Sequence, residues 1–105
     1  MTVAFAIARI PLMMEELGYG KNYIIRWRHF QLAAHEILSF DANNQYYLLI
    51  APRYGISVKS NSGVYNYSDP SINEMQYEHK GKIQVNNNNT YPQLVLFIQV
   101  IPNHF

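Results

Sequence analysis

From Tyr23 onward, short runs rich in β-branched and aromatic residues alternate with clusters of turn residues. Turn signals recur about every 8 to 12 residues, a spacing typical of β-sandwiches and barrels. No long amphipathic helices alternate with these runs, so an α/β fold is not expected. The pattern predicts an all-β chain, a small antiparallel β-sandwich of Ig-like or jelly-roll topology. The clearest predicted strands are 45–50, 56–60, 64–67, 82–85 and 94–101.

Local signals refine this prediction. Residues 23–40 are predicted to form a strand. A helix over 31–38 is the alternative, because alanine, leucine and glutamate favour helices. Residues 41–44 predict a turn, and 61–63 predict a hairpin turn. Gly81 interrupts a strand pattern and predicts a bulge or a tight bend.

The first 22 residues lack the pattern of strands and turns that the rest of the chain shows. Val3, Phe5 and Ile7 alternate with alanines, which favours an extended arm or edge strand that Pro11 closes. A short helical turn over 12–17 can follow it within the arm. We therefore divide the chain into an arm, 1–22, and a sandwich domain, 23–105. On this division, removal of residues 1–20 should leave the sandwich folded.

Composition narrows the class of function. The chain has 105 residues and a net charge of +1, and only 14% of its residues are charged. A nucleic-acid binder would show a basic excess or stripe, so no nucleic-acid partner is expected. The apolar segment 3–8 is too short for a membrane span of about 20 residues. The chain contains no cysteine, which excludes disulfides and thiolate metal sites.

No constellation of residues predicts catalysis. The four histidines and seven carboxylates show no metal-ligand spacing and no facing acid pair. Phosphate-loop, dinucleotide-binding and nucleophile-elbow motifs are absent. We therefore expect no enzyme activity, no catalytic or metal-binding residue and no cofactor.

Trp27 stands between Arg26 and Arg28. On a strand the two arginines point to one face and Trp27 to the other, which predicts that Trp27 is buried in the core. The nine tyrosines favour strand core first and a protein interface second. A sugar-stacking platform formed by Tyr46, Tyr47, Tyr65 and Tyr67 comes third, so a carbohydrate-binding module is the alternative function.

Low charge and apolar ends predict association with other protein subunits or with copies of this chain. The expected interface lies on the arm and at the carboxyl end. Its predicted residues are Val3, Phe5, Ile7, Leu12, Met13, Met14 and Phe105.

Five segments carry a resemblance: LSF at 38–40, YYLL at 46–49, GISVKSNSGVYN at 55–66, YEHKGKIQVNN at 77–87 and FIQVIP at 97–102. Over about residues 36–102 the chain resembles small β-sandwich virion proteins of tailed bacteriophages, in the style of the crAss-like phages of Bacteroides. The resemblance implies a capsid auxiliary, decoration or head-accessory subunit, assembled in the host cytoplasm and carried in the virion. It brings no catalytic residue.

Overall fold

The computed structural model describes residues 1–103, with the backbone alone for residues 74 and 75. One helix and six strands make up the described chain, and every strand pair is antiparallel. The sheet order is β1-β6-β2-β5-β3-β4. This confirms the predicted small antiparallel all-β fold. The elements are α1 (Val3–Glu16), β1 (Tyr23–Leu32), β2 (Ile37–Ala51), β3 (Ile56–Ser60), β4 (Gly63–Asn66), a 3-10 turn (Glu74–Tyr77), β5 (Glu78–Asn87) and β6 (Gln93–Pro102).

Strand β2 forms a corner where a turn over 41–44 was predicted. Ala42 pairs with Gly81 and Tyr46 pairs with Lys80, so residues 43–45 have no counterpart on β5. Asn44 has a φ of +60° and Gly81 a φ of +77°, both in the left-handed region that asparagine and glycine tolerate best. The bulge predicted at Gly81 is therefore confirmed, while the turn predicted over 41–44 is an irregularity within one continuous strand.

The corner folds the sheet onto itself. Phe30 pairs with Val95 near the start of β6, whereas Tyr46 pairs with Val100 near its end. A straight β2 would carry Phe40 beyond the end of β6, yet the Phe30 and Phe40 rings stack with centroids 5.2 Å apart. Bulges that move a strand from one layer to another form the corners of sandwich folds. The rings between the two layers are Phe30, Phe40, Tyr47 and Phe97.

The predicted N-terminal arm is not present, because residues 3–16 form an α-helix. Thr2 begins it as the N-cap, accepting a hydrogen bond from the backbone N–H of Phe5 at 3.1 Å. The helix continues through Pro11, although proline supplies no N–H to the helical ladder. Burial of one face outweighs that loss, since apolar side chains at a 3–4 residue spacing enter the core. The buried helix residues are Ala6, Ile10, Met13 and Met14.

Neither interpretation of residues 31–40 is fully right. Strand β1 ends at Leu32, a turn occupies 33–36, and β2 begins at Ile37. The side chain of Asn87 ties this turn down by donating to the carbonyl of Ala33 at 3.0 Å. The hairpin predicted at 61–63 is confirmed between β3 and β4.

Gly81→Ala should lower the free energy of unfolding by about 1 to 2 kcal/mol, because a Cβ is strained at positive φ. A Cβ there would also lie 2.1 Å from Nδ2 of Asn61, which must move aside. Gly20→Ala is the matched control, since Gly20 also has positive φ but has open space around the Cβ position. Urea unfolding of both variants measures the difference. Equal losses would show that the Asn61 contact adds nothing.

Candidate docking surface

A register row crosses four strands beneath α1. Trp27 pairs with Ile98, Ile98 pairs with Leu48, and Leu48 pairs with Glu78. Directly paired residues point to the same face of a sheet. Glu78 accepts a hydrogen bond from Nε of Arg9 on α1 at 2.8 Å. The helix therefore lies on this face, and Trp27 occupies the same face at the outer strand.

The two flanks of α1 point in opposite directions across that row. Arg9 and Glu16 lie on one flank and form an ion pair at 3.4 Å. Because Arg9 also contacts Glu78, this flank points toward β5. Helical spacing places Val3 and Ile7 on the other flank, with Ile10 and Met14, which points toward β1.

Trp27 is 49% exposed, so the prediction that it is a core residue is wrong. The alternation was interpreted correctly, since Trp27 and the arginines do face opposite sides. However, α1 covers the middle of the sheet and leaves the outer strand uncovered. Val3, Ile7 and Ile25 are likewise 43–49% exposed on this side. We call Val3, Ile7, Ile25 and Trp27 the Trp27 surface.

The predicted interface residues separate into three groups. Val3 and Ile7 lie on the Trp27 surface, whereas Phe5 and Leu12 are exposed on the Arg9 flank. Met13 and Met14 are buried within the chain's own core, so they are not available to a partner. Phe105 lies outside the described residues. Ile25 and Trp27 lie outside the predicted interface set, because alternation does not show which strand lies at the edge of a sheet.

Strand β1 is one edge of the sheet, so it pairs with a neighbouring strand on one side only. The N–H of Asn103 donates to the carbonyl of Asn22 at 2.8 Å, which fixes the phase of the β1–β6 ladder. By antiparallel alternation, the even-numbered residues of β1 bond to β6. The N–H and C=O groups of Ile25, Trp27 and His29 therefore point outward. The opposite edge, β4, is only four residues long.

A second feature is an open polar groove of about 500 Å³ across β2, β5 and β3. Asp41 pairs with Lys82, and Lys59 pairs with Gln84. These side chains are exposed or half-buried, and the apolar residues Phe40 and Ile83 also line the groove. This mixture of side chains fits a solvated sheet face.

The buried His79 belongs to a hydrogen-bond chain inside the sandwich. Ser60 Oγ lies 2.7 Å from His79 Nδ1, and the Tyr67 hydroxyl contacts His79 Nε2. The same hydroxyl donates to the carbonyl of Gln76 at 2.7 Å. Because the Tyr67 hydroxyl has one proton and donates it to Gln76, it must accept from His79 Nε2. His79 Nδ1 then carries no proton and accepts a hydrogen bond from Ser60.

Burial controls the electrostatics of this chain. His79 is 1% exposed, and desolvation lowers the pKa of its imidazole to about 4. Desolvation likewise raises the pKa of the Tyr67 hydroxyl. Both groups are neutral at pH 7, which suits a structural network that satisfies buried polar atoms.

The tyrosines named for a sugar platform do not form one. Tyr47 and Tyr67 are buried, and Tyr67 stacks on Tyr77 with ring centroids 4.6 Å apart. A platform needs several aromatic faces open to solvent, and these faces are used in packing.

Among the described residues, histidines and carboxylates form no group of three that could hold a metal ion. In the same part of the chain, no helix is long and apolar enough to cross a membrane. Comparisons with protein-family models, curated proteins and solved structures gave no match.

Proposed function

We propose that this protein is a non-enzymatic structural subunit that docks on a larger protein assembly through the Trp27 surface. One observation carries the proposal: Ile25 and Trp27 of the edge strand are exposed, and so are Val3 and Ile7 on the flank of α1 that points toward that strand. Tryptophan is among the residues most enriched at the energetic centres of protein interfaces. Large exposed apolar patches mark interaction sites on proteins.

The setting we propose is a virion. The resemblance to phage head-accessory proteins supports it, and a small sandwich with an apolar docking face suits an auxiliary or decoration subunit. In this proposal the docking face includes Val3 and Ile7 of the originally predicted interface set. The helix presents them in place of an extended arm.

Trp27→Ser should deplete the protein from purified virions at least tenfold while leaving its fold intact. A half-exposed side chain contributes little to the core, so the free energy of unfolding should change by about 1 kcal/mol or less. At the centre of an interface, truncation of a tryptophan commonly costs more than 2 kcal/mol, which is over tenfold in affinity. Mass spectrometry of virions from the infected host, normalised to the major capsid protein, measures the depletion.

Leu12→Ser is the matched control, because Leu12 is exposed on the opposite flank of α1. Its content in virions should equal that of the parent protein. Absence of the parent protein from virions would overturn the virion setting. Equal depletion by both variants would overturn the assignment of the docking face, and glycan binding lost in Trp27→Ser would favour the carbohydrate-binding alternative.

A further inference from the structure

We propose that the partner docks by adding a strand to β1, and that this strand alternates apolar with acidic residues. This inference rests on the proposed docking function and specifies its chemistry. The feature that carries it is the edge of β1, where outward backbone groups and exposed apolar side chains occur on the same residues.

The backbone of β1 offers a full set of hydrogen-bonding groups. Ile25, Trp27 and His29 each direct one N–H and one C=O away from β6, as the phase of the ladder requires. Their side chains are exposed on the α1 face. An added strand would therefore form main-chain hydrogen bonds and, at the same residues, cover apolar surface.

Edge strands are normally protected by shortness, covering or charge. Strand β4 is short, whereas β1 has ten residues and most of them are exposed. Ile24 and Ile25 expose apolar side chains on both faces of β1. The protection that remains on β1 is its positive charge.

The positive charge of β1 favours a partner strand that carries negative charge. Strand β1 carries Arg26 and Arg28 and no carboxylate. Arg28 turns toward the chain's own Gln99, donating to its Oε1 at 3.2 Å. Arg26 is exposed, and both ion pairs among the described residues involve Arg9 instead. A carboxylate directly opposite Arg26 would form a favourable cross-strand pair.

A second copy of the chain fits this edge poorly. Outward backbone groups must face each other, so odd-numbered residues of one copy oppose odd-numbered residues of the other. A two-fold axis at Trp27 then places Arg26 opposite Arg28. An axis at either arginine places it opposite its own copy, and like charges in direct opposition destabilise a sheet. Registers centred further out leave part of β1 unpaired.

The side chains on the two faces of β1 determine the preferred sequence of the partner strand. Residues opposite Ile25, Trp27 and His29 lie on the α1 side and should be apolar. Residues opposite Arg26 and Arg28 lie on the other side and should be acidic. A partner strand in which acidic and apolar residues alternate therefore matches β1 both in charge and in apolar surface.

A direct test uses an acetylated, amidated heptapeptide of alternating valine and glutamate, with the valine and lysine peptide as its counterpart. Trp27 is the single tryptophan of the chain, so its emission reports on this edge alone. We expect a saturable blue shift with the glutamate peptide and none with the lysine peptide. Arg26→Glu should weaken binding of the glutamate peptide about tenfold and permit binding of the lysine peptide.

His29→Pro separates strand addition from other docking modes. Proline removes an N–H that points to solvent, which an edge strand tolerates, so the β1–β6 ladder stays intact. It should abolish peptide binding, while His29→Ala, which keeps the N–H, measures the part of any loss that comes from the side chain alone. Circular dichroism and thermal melts confirm that both variants fold.

Loss of virion incorporation in both Trp27→Ser and His29→Pro supports strand addition. Loss in Trp27→Ser alone overturns strand addition but leaves the docking function standing, and loss in neither overturns both. Equal binding of the two peptides overturns the charge assignment. A dimer in sedimentation equilibrium that His29→Pro dissociates would show that a second copy occupies the edge.

Discussion

Acidification from pH 7 to pH 4 should lower the free energy of unfolding by about 3 kcal/mol through His79 alone. The pKa of this imidazole is about 4 in the folded chain, against an ordinary value of 6.5. Between these values the unfolded chain binds a proton that the folded chain does not, so stability falls as the pH falls. The slope approaches about 1.4 kcal/mol per pH unit, and the contribution is fully present above pH 6.5. Urea unfolding at pH 7, 5.5 and 4 measures it.

His79→Gln is the control, because its amide can donate and accept hydrogen bonds but does not titrate. The variant should be less stable than the parent at pH 7, since one contact to Ser60 or Tyr67 is lost. Its loss of stability between pH 6.5 and pH 4 should be smaller than that of the parent by most of the 3 kcal/mol. An unchanged slope would assign the pH dependence to carboxylates instead.

Met14→Ala should lower the free energy of unfolding by about 2 to 5 kcal/mol. Met14 is fully buried, and truncation of a buried side chain loses apolar transfer energy and leaves a cavity. Leu12→Ala should change stability by about 0.5 kcal/mol or less, because Leu12 is 61% exposed two residues away on the same helix. Guanidinium unfolding followed by circular dichroism compares the two.

The comparison tests whether α1 belongs to the core. Similar small losses from both substitutions would show that the helix can leave the sheet and act as a detachable arm. Removal of residues 1–20 should then leave a cooperative unfolding transition. We expect the opposite, since removal would uncover Leu48, Ile98 and Val100.

Local patterns determined most of the strands. Alternation and β-branched residues predicted both ends of β3 and β6 to within one residue. They also predicted the end of β2 to within one residue, but β2 begins at Ile37 rather than at the predicted position 45. The hairpin turn at 61–63 and the irregularity opposite Gly81 also follow from local turn chemistry. These signals depend on the φ and ψ preferences of adjacent residues, and the local sequence determines those preferences.

The helix required information from beyond its own segment. Pro11 and the alternation of Val3, Phe5 and Ile7 argue locally against it. The helix forms because Ile10 and Met14 reach an apolar sheet face built from strands distant in the sequence. Burial of that face outweighs the local preferences, as tertiary packing commonly does.

The docking surface was likewise decided by the tertiary structure. The sequence determined that Trp27 and the arginines face opposite sides of a strand. It did not determine that β1 is the edge strand or that α1 covers only the central strands, because strand order arises from pairing between distant segments. Exposure of Trp27 depends on both facts, so only the folded chain could show that its largest apolar side chain faces solvent.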